Sequence, residues 1–230
     1  SVVNPKYFEY SDRRLKHLAD AGIVPAIVGG WGRGDCNGMA MAGLAGIKRH
    51  WRNLVARYGA YPTVWIIGGE TGGAQWSEVT RYVHGLDPYD RPVTIHNPNN
   101  ARTALTDENL LDFDMLETSH EDWTAVQLTL TRLKASYSSQ GMKVMPVMVG
   151  EACYEGHMQC NWQDVQRHLF WATMLSGSAG HTYGAAGIWH VGVEGDPGHV
   201  AGWFKEQAFD WTTWKEGMNY PGSTQLGLGR

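Results

Sequence analysis

Cysteine is scarce in this chain, with three in 230 residues, too few to build a scaffold from disulfides. Cys153 and Cys160 fall in one expected loop and could bridge in an exported protein, leaving Cys36 over. Nothing else in the sequence fixes the redox compartment, and three free thiols are the simpler expectation. No C-x-x-C or H-E-x-x-H spacing occurs, so a structural zinc site has no support. Positive charge is not in excess either. The formal net charge is −4 and the charges are scattered, which argues against a nucleic acid or an anionic membrane as partner. No apolar run approaches the roughly 18–20 residues of a membrane span. No charged stretch leading into an apolar one opens the chain, as a signal peptide would, though the chain does not read as beginning at a natural start. Compartment stays open.

Glycine and tryptophan are plentiful instead, 29 and 11 residues. That much glycine implies many tight turns and close backbone approaches. The flat face of tryptophan stacks on the apolar C–H faces of sugar rings. Most of the tryptophans are expected to fill core, and two or three to line a site. At 230 residues the chain fits one domain, spanning 1–230, with length enough to bury a core.

Short apolar runs alternate with amphipathic segments. Asn4-Pro5 reads as an N-cap with proline at the first helical position, and Phe8, Leu15, Leu18 and Ala19 then share a face. A strand over Val24–Val28 opens into the loop Gly29-Gly30-Trp31-Gly32-Arg33-Gly34-Asp35. Leu44, Ile47, Trp51, Leu54, Val55 and Tyr58 recur at helical spacing. Further strands are expected over Val64–Ile67, Pro92–Ile95, Phe113–Leu116, Val144–Val149 and Gly180–Tyr183. Helices are expected over Ser77–His84, around Asp107–Leu111, over Val126–Tyr137 and Trp162–Leu175, and over Trp211–Met218 before a Pro221-Gly222 turn. A long loop runs through Trp189 and Asp196.

Alternating strands and helices argue for βαβ units and a parallel sheet. The runs are apolar on both faces, as a sheet covered on both sides demands. No G-x-G-x-x-G follows a strand, which disfavours a dinucleotide fold. The polar and aromatic loops all follow strands, where a (β/α)₈ TIM-type barrel builds its active site. The expected fold is therefore an α/β barrel, but an incomplete one. Six strands are found where eight close a barrel, the chain opens with a helix, and its length falls short of the roughly 250 residues usual for the fold. Two βα units are expected to be missing before residue 1. The open sheet edges would be covered either by the rest of a longer protein or by association between copies, a homo-oligomer.

Two of the strands end in a single glutamate. Val64 to Gly69 delivers Glu70, and Val144 to Gly150 delivers Glu151. With two strands between them, the acids would stand three strands apart and face one another across a barrel mouth. Breaking a glycosidic bond needs such a pair: one protonated acid at the leaving oxygen, one anion at the oxocarbenium-like carbon. The acid would have to keep its proton through an apolar wall or a neighbouring anion, while the other stays ionised through hydrogen bonds. Trp31, Trp189 and Tyr183 are candidates for the mouth, as stacking platforms or hydroxyl donors. His96, Asn97 and His120 follow strands and could hydrogen-bond sugar hydroxyls or the nucleophile. Asp35, Glu117 and Glu155 rank lower, because none follows a clean strand-plus-glycine run.

The segments Asn4–Phe8, Ala21–Val28 with Trp31-Gly32, Trp65–Glu70, Gly150-Glu151, and His181–Gly184 with Gly187–Trp189 together resemble the apiosidase-like (β/α)₈ glycoside hydrolases. The similarity covers nearly the whole chain, from just before the family's third strand to just after its eighth. The resemblance implies a retaining glycosidase, with Glu70 as acid/base and Glu151 as nucleophile at the ends of strands four and seven. It implies an oligosaccharide or glycoside substrate, in particular exo-action on polysaccharide side chains, and neither cofactor nor metal. One departure stands out: many members of the wider clan carry asparagine directly before the acid/base, and this chain has Gly69. Two other classes stay open on the residues alone. One is a carbohydrate-binding or catalytically idle barrel; the other is a metal-dependent hydrolase using His96, His120, His181, His190 or His199.

Overall fold

A computed structural model of the chain describes residues 4–138, 141–194 and 212–229. Of the residues singled out above, Asp196, His199 and Trp211 lie outside them. The chain groups into two compact units, residues 1–115 with 141–146, and residues 116–140 with 147–230.

The first unit opens with α1 (Pro5–Asp20), started by the Asn4 side chain and Pro5. Strand β1 (Ala26–Val28), helix α2 (Gly38–Tyr58), strand β2 (Val64–Ile66), helix α3 (Ala74–Leu86) and strand β3 (Val93–Thr94) follow. The three strands form a parallel sheet in the order β1-β2-β3, with Ile27 opposite Trp65 and Trp65 opposite Val93. Loops join each strand to the helix after it, and the helices return the chain so that neighbours run the same way. The core of this unit is aromatic at its centre. Trp51 of α2 and Trp65 of β2 are fully buried and meet edge to face, 5.7 Å between centroids. Each indole N–H finds an acceptor, the Ile67 carbonyl and the Asp87 carboxylate, as buried indoles require. Gly29 is dictated here, because a Cβ would stand 2.0 Å from the Trp51 ring.

The expectation that every strand is covered on both faces fails at β1. Ala26 and Val28, at one edge of the sheet, are exposed, Val28 at 43%, whereas β3 at the other edge is buried. Helix α2 starts earlier than its apolar spacing suggests. Asn37 caps it, and Gly43, in the left-handed region at φ 64°, breaks it internally. The segment near Asp107–Leu111 is a single 3₁₀ turn, Glu108–Leu110, with Asp107 capping.

Strand β4 (Asp114–Glu117) carries the chain from the first unit into the second. There follow α4 (Asp122–Tyr137), β5 (Val147–Glu151), a 3₁₀ turn at His157–Gln159, α5 (Gln163–Leu175), β6 (Gly180–His181), α6 (Trp214–Gly217) and α7 (Pro221–Gly227). The second sheet has the order β4-β5-β6, with β6 parallel to β5. Leu133, Val147, Val149, Cys153 and Leu169 form its core. The expected Pro221-Gly222 turn is instead the start of α7, since proline at the first helical position suits a helix as well as a turn. All three cysteines are free. Burial above all pushes the Cys153 thiol up to about 12, which leaves it inert as a nucleophile.

Candidate active site

In the first unit Glu70 follows β2 directly after Gly68-Gly69, and its backbone is in the left-handed region at φ 46°. A non-glycine residue there is strained and persists only where its surroundings impose it. The neighbouring loop imposes it. Trp31 pairs with Gly69 as an isolated parallel bridge, Gly32 N–H donates to the Gly69 carbonyl, and Gly69 N–H donates to the Gly30 carbonyl, both at 2.8 Å. The Trp31 ring lies on Gly69 so closely that a Cβ would meet it at 2.2 Å. Glycine at the position before Glu70 is therefore a packing requirement of Trp31. The indole fills the space that any side chain at residue 69 would need.

Around Glu70 the other candidates divide. Trp31 is 37% exposed and makes an edge contact with His96, centroids 6.2 Å apart. His96 is buried, and its backbone continues the sheet by donating to the Gly68 carbonyl and accepting from Thr71 N–H. The Asn97 side chain donates to the Thr71 carbonyl and accepts from Asn99 N–H, so it shapes its own loop and ties it to the one after β2. One residue the sequence reading passed over comes forward: Arg33. Its guanidinium donates to Glu70 Oε2 at 2.7 Å, with the arginine side chain 62% exposed and the glutamate 25%. A lone cation among the glycines of a post-strand loop was the available signal.

In the second unit Glu151 is the last residue of β5, with its side chain 14% exposed. The Tyr154 hydroxyl donates to Glu151 Oε1, and His120 Nε2 lies 3.5 Å from the same oxygen and 3.9 Å from Glu117 Oε1. Tyr154 stacks on Trp189 at 6.1 Å and 30°, and His120 and His157 close round it with centroids 5.1 and 5.9 Å away. The loop that bears Tyr154 is braced from α5, where the buried Gln166 amide donates to the Cys153 and Asn161 carbonyls. Asn161 in turn donates to the His120 carbonyl at 2.7 Å. Ser119, between Glu117 and His120, is also left-handed at φ 83°. The strained residues thus gather in the loops after strands.

Tyr183 does a different job from the one expected. Its hydroxyl donates to the fully buried Glu155 carboxylate at 2.5 Å, and that carboxylate also accepts the Gly222 N–H of α7 at 2.9 Å. Burial first, then Glu155, pushes the Tyr183 hydroxyl above its ordinary range, and burial raises Glu155. This pair clamps α7 onto the loop next to Tyr154. Glu155 is structural, and the Tyr183 hydroxyl is taken. His181 packs edge-on against Phe170; burial holds its imidazole down at about 4. A groove of about 760 Å³ between α4 and α5, lined by Trp123 and Trp171 among others, holds none of the candidate site residues. Tyr154 and His157 were legible only as a tyrosine and a histidine shortly after Glu151, with nothing in their spacing to set them apart.

Among solved structures the chain resembles a family 5 glycoside hydrolase from Bacteroides vulgatus, with a TM-score of 0.80 at 22% identity over 96% of this chain and 52% of that one. A structure described as a glycoside hydrolase gives 0.80 and 22% over 96% and 53%. The endo-β-1,4-mannanase of Thermotoga petrophila gives 0.67 and 13% over 95% and 60%. These similarities show the fold, that of (β/α)₈ enzymes. The chain spans about half the length of the first two. Comparison with curated proteins finds no match. The model of the apiosidase-like catalytic domain matches residues 1–230, and the chain belongs to that family.

Proposed function

We propose that this chain is the catalytic domain, or part of it, of a retaining glycoside hydrolase, with Glu70 as acid/base and Glu151 as nucleophile. The six strands are read as one partial barrel domain, which two further βα units, from a longer chain or from a partner copy, would complete. The observation that carries the reading is the setting of Glu151 in a chain of this family. A strand-end carboxylate receives a tyrosine hydroxyl and an imidazole, beside a stacked tryptophan, and stays partly open to solvent. The tyrosine hydroxyl on Oε1 disperses charge on a group that must remain ionised until it attacks.

The chemistry follows in two balanced steps. Protonated Glu70 gives its proton to the leaving oxygen as a Glu151 oxygen bonds to the anomeric carbon and the glycosidic C–O bond breaks. Glu70, now ionised, takes a proton from water, whose oxygen displaces Glu151 and restores the original configuration. The proposal requires the two carboxyl groups to come within about 5–5.5 Å of each other. Trp31 and Trp189 would stack on the sugar, and His96 and His120 would bind hydroxyls. The substrate is read as a glycoside borne on an oligo- or polysaccharide.

The test is a panel of aryl glycosides with the parent and Glu151→Gln. Turnover by the parent, with the product anomer retained by NMR and loss of turnover in a folded Glu151→Gln, is expected. Equal activity in the variant would remove the assignment. Sugar binding without hydrolysis of any substrate would make this an idle barrel.

A further inference from the structure

Burying a carboxylate is costly, and replacing buried charged groups by apolar side chains of similar volume often leaves a fold no less stable. Glu155 is fully buried, so its role lies in what it joins. The carboxylate accepts the Tyr183 hydroxyl at 2.5 Å, and the Gly222 N–H at 2.9 Å on Oε2 and 3.2 Å on Oε1. Separate segments meet on it: its own loop after β5, the loop after β6 that bears Tyr183, and the first turn of α7. The fit is close, because a Cβ at Gly222 would stand 2.2 Å from Oε2.

The main chain of Glu155 adds to the stitching. Its N–H donates to the Gly184 carbonyl at 2.9 Å, and its carbonyl accepts the Ala186 N–H at 2.8 Å. The neighbouring site rests on these same residues. The Tyr154 ring lies on Gly184 so tightly that a Cβ there would meet it at 2.1 Å. Trp189, stacked on Tyr154, donates its backbone N–H to the Ala185 carbonyl at 3.2 Å. On the other side Gly156, at φ 75°, is pressed against the ring of Tyr220, the residue before α7. Tyr154 therefore stands on a floor tied to Glu155 through Tyr183, and the residues after it are held by a wall tied to Glu155 through α7. Its hydroxyl reaches Glu151. A displacement of about 1 Å in a catalytic arrangement can cost about 10²-fold in rate.

We propose that Glu155 is a positioning residue for hydrolysis, holding the Tyr154 hydroxyl on Glu151 by binding the loop after β6 and α7 to the loop after β5. This deepens the reading of Glu151 as nucleophile and rests on it. It also makes α7, whose Gly222 lies 67 positions beyond Glu155, part of what keeps the nucleophile in order.

The experiment is a double-mutant cycle on an aryl glycoside that the parent hydrolyses, with circular dichroism to confirm folding. Glu155→Gln keeps the volume and weakens the acceptor that Tyr183 and Gly222 share. It is expected to lower kcat about tenfold, with KM within about twofold of the parent. In a Tyr154→Phe background the same substitution should cost less than about twofold more, since the hydroxyl it positions is gone. An equal loss in both backgrounds, or no loss in either, overturns the inference and leaves the glycosidase reading standing. If Glu155→Gln does not fold, Tyr183→Phe, which deletes one donor and keeps the ring, is judged by the same criterion with a smaller loss expected. If the parent cleaves nothing, that reading fails instead, and fluorine NMR of protein carrying 3-fluorotyrosine in place of Tyr154 still decides the role of Glu155. The resonance should move on Glu151→Gln and on Glu155→Gln alike; a line that Glu155→Gln leaves in place sinks the proposal.

Discussion

Glu70, in the loop after β2, and Glu151, the last residue of β5, live in different chemistry. Glu70 sits on strained backbone, against a Trp31-filled shelf, with an exposed arginine on its carboxylate. Glu151 completes β5, and its partners include an aromatic hydroxyl and an imidazole in a braced ring cluster. One partner is an exposed guanidinium; the tyrosine hydroxyl belongs to a ring packed against Trp189. An acid/base changes its protonation twice per turnover, whereas a nucleophile must stay ionised until it attacks. A solvent-exposed partner suits the first duty and a packed donor suits the second.

The widest separation of the two roles is expected from their deletions. Glu151→Ala should lose at least about 10⁴-fold in kcat on every aryl glycoside, as removal of a nucleophile does. Glu70→Ala should lose about 10²–10⁴-fold on poor leaving groups and far less on activated ones. Azide should rescue the two variants to glycosyl azides of opposite configuration, inverted for Glu151→Ala and retained for Glu70→Ala; the same anomer from both would break the comparison. Next in size is Tyr154→Phe, which keeps the stacking on Trp189 and removes one hydrogen bond to Glu151. A fall of about 10–100-fold in kcat is expected, with KM for a given glycoside little changed; an unaltered kcat would show the Glu151 setting to be incidental.

Gly69→Ala sharpens the Glu70 side. Its Cβ has no room beside Trp31, and overpacking of this kind costs about 1–3 kcal/mol. Urea denaturation should show a lowered midpoint, and Gly69→Ala paired with Trp31→Ala should recover part of it. The smallest effect lies away from both acids. His181, depressed to about 4 by burial, stays neutral in the fold while the unfolded chain takes up a proton below about 6.5. Stability is therefore complete above that range and declines as pH falls from about 6.5 to about 4, by on the order of 2 kcal/mol for a partly exposed ring. Melting curves of parent and His181→Leu should converge near pH 8 and separate at pH 5, with the variant the more stable. Parallel curves would show that His181 does not control this limb.

The order of elements and the two strand-end glutamates were legible because each rests on local pattern. Apolar runs of strand length, helical spacing at Leu44–Tyr58, and Asn4-Pro5 as a helix start all read correctly. Phe113–Leu116 and Val144–Val149 were placed a residue or more early, since apolar continuity does not mark where ladder hydrogen bonds begin. Pro221-Gly222 misread as a turn because proline serves both structures.

Partner choice was not legible. No spacing rule takes Arg33 to Glu70, Tyr183 to Glu155, or Trp31 onto Gly69, since these pairs are separated by 37, 28 and 38 positions. The sequence alone determined which segments become strands and that Glu70 and Glu151 stand at or just beyond the ends of two of them, because periodicity and turn residues act over a few neighbours. Only the tertiary structure decided what each carboxylate touches. Side chains far apart in the chain compete there for the same few angstroms, and packing and hydrogen-bond satisfaction, which no single segment carries, choose between them.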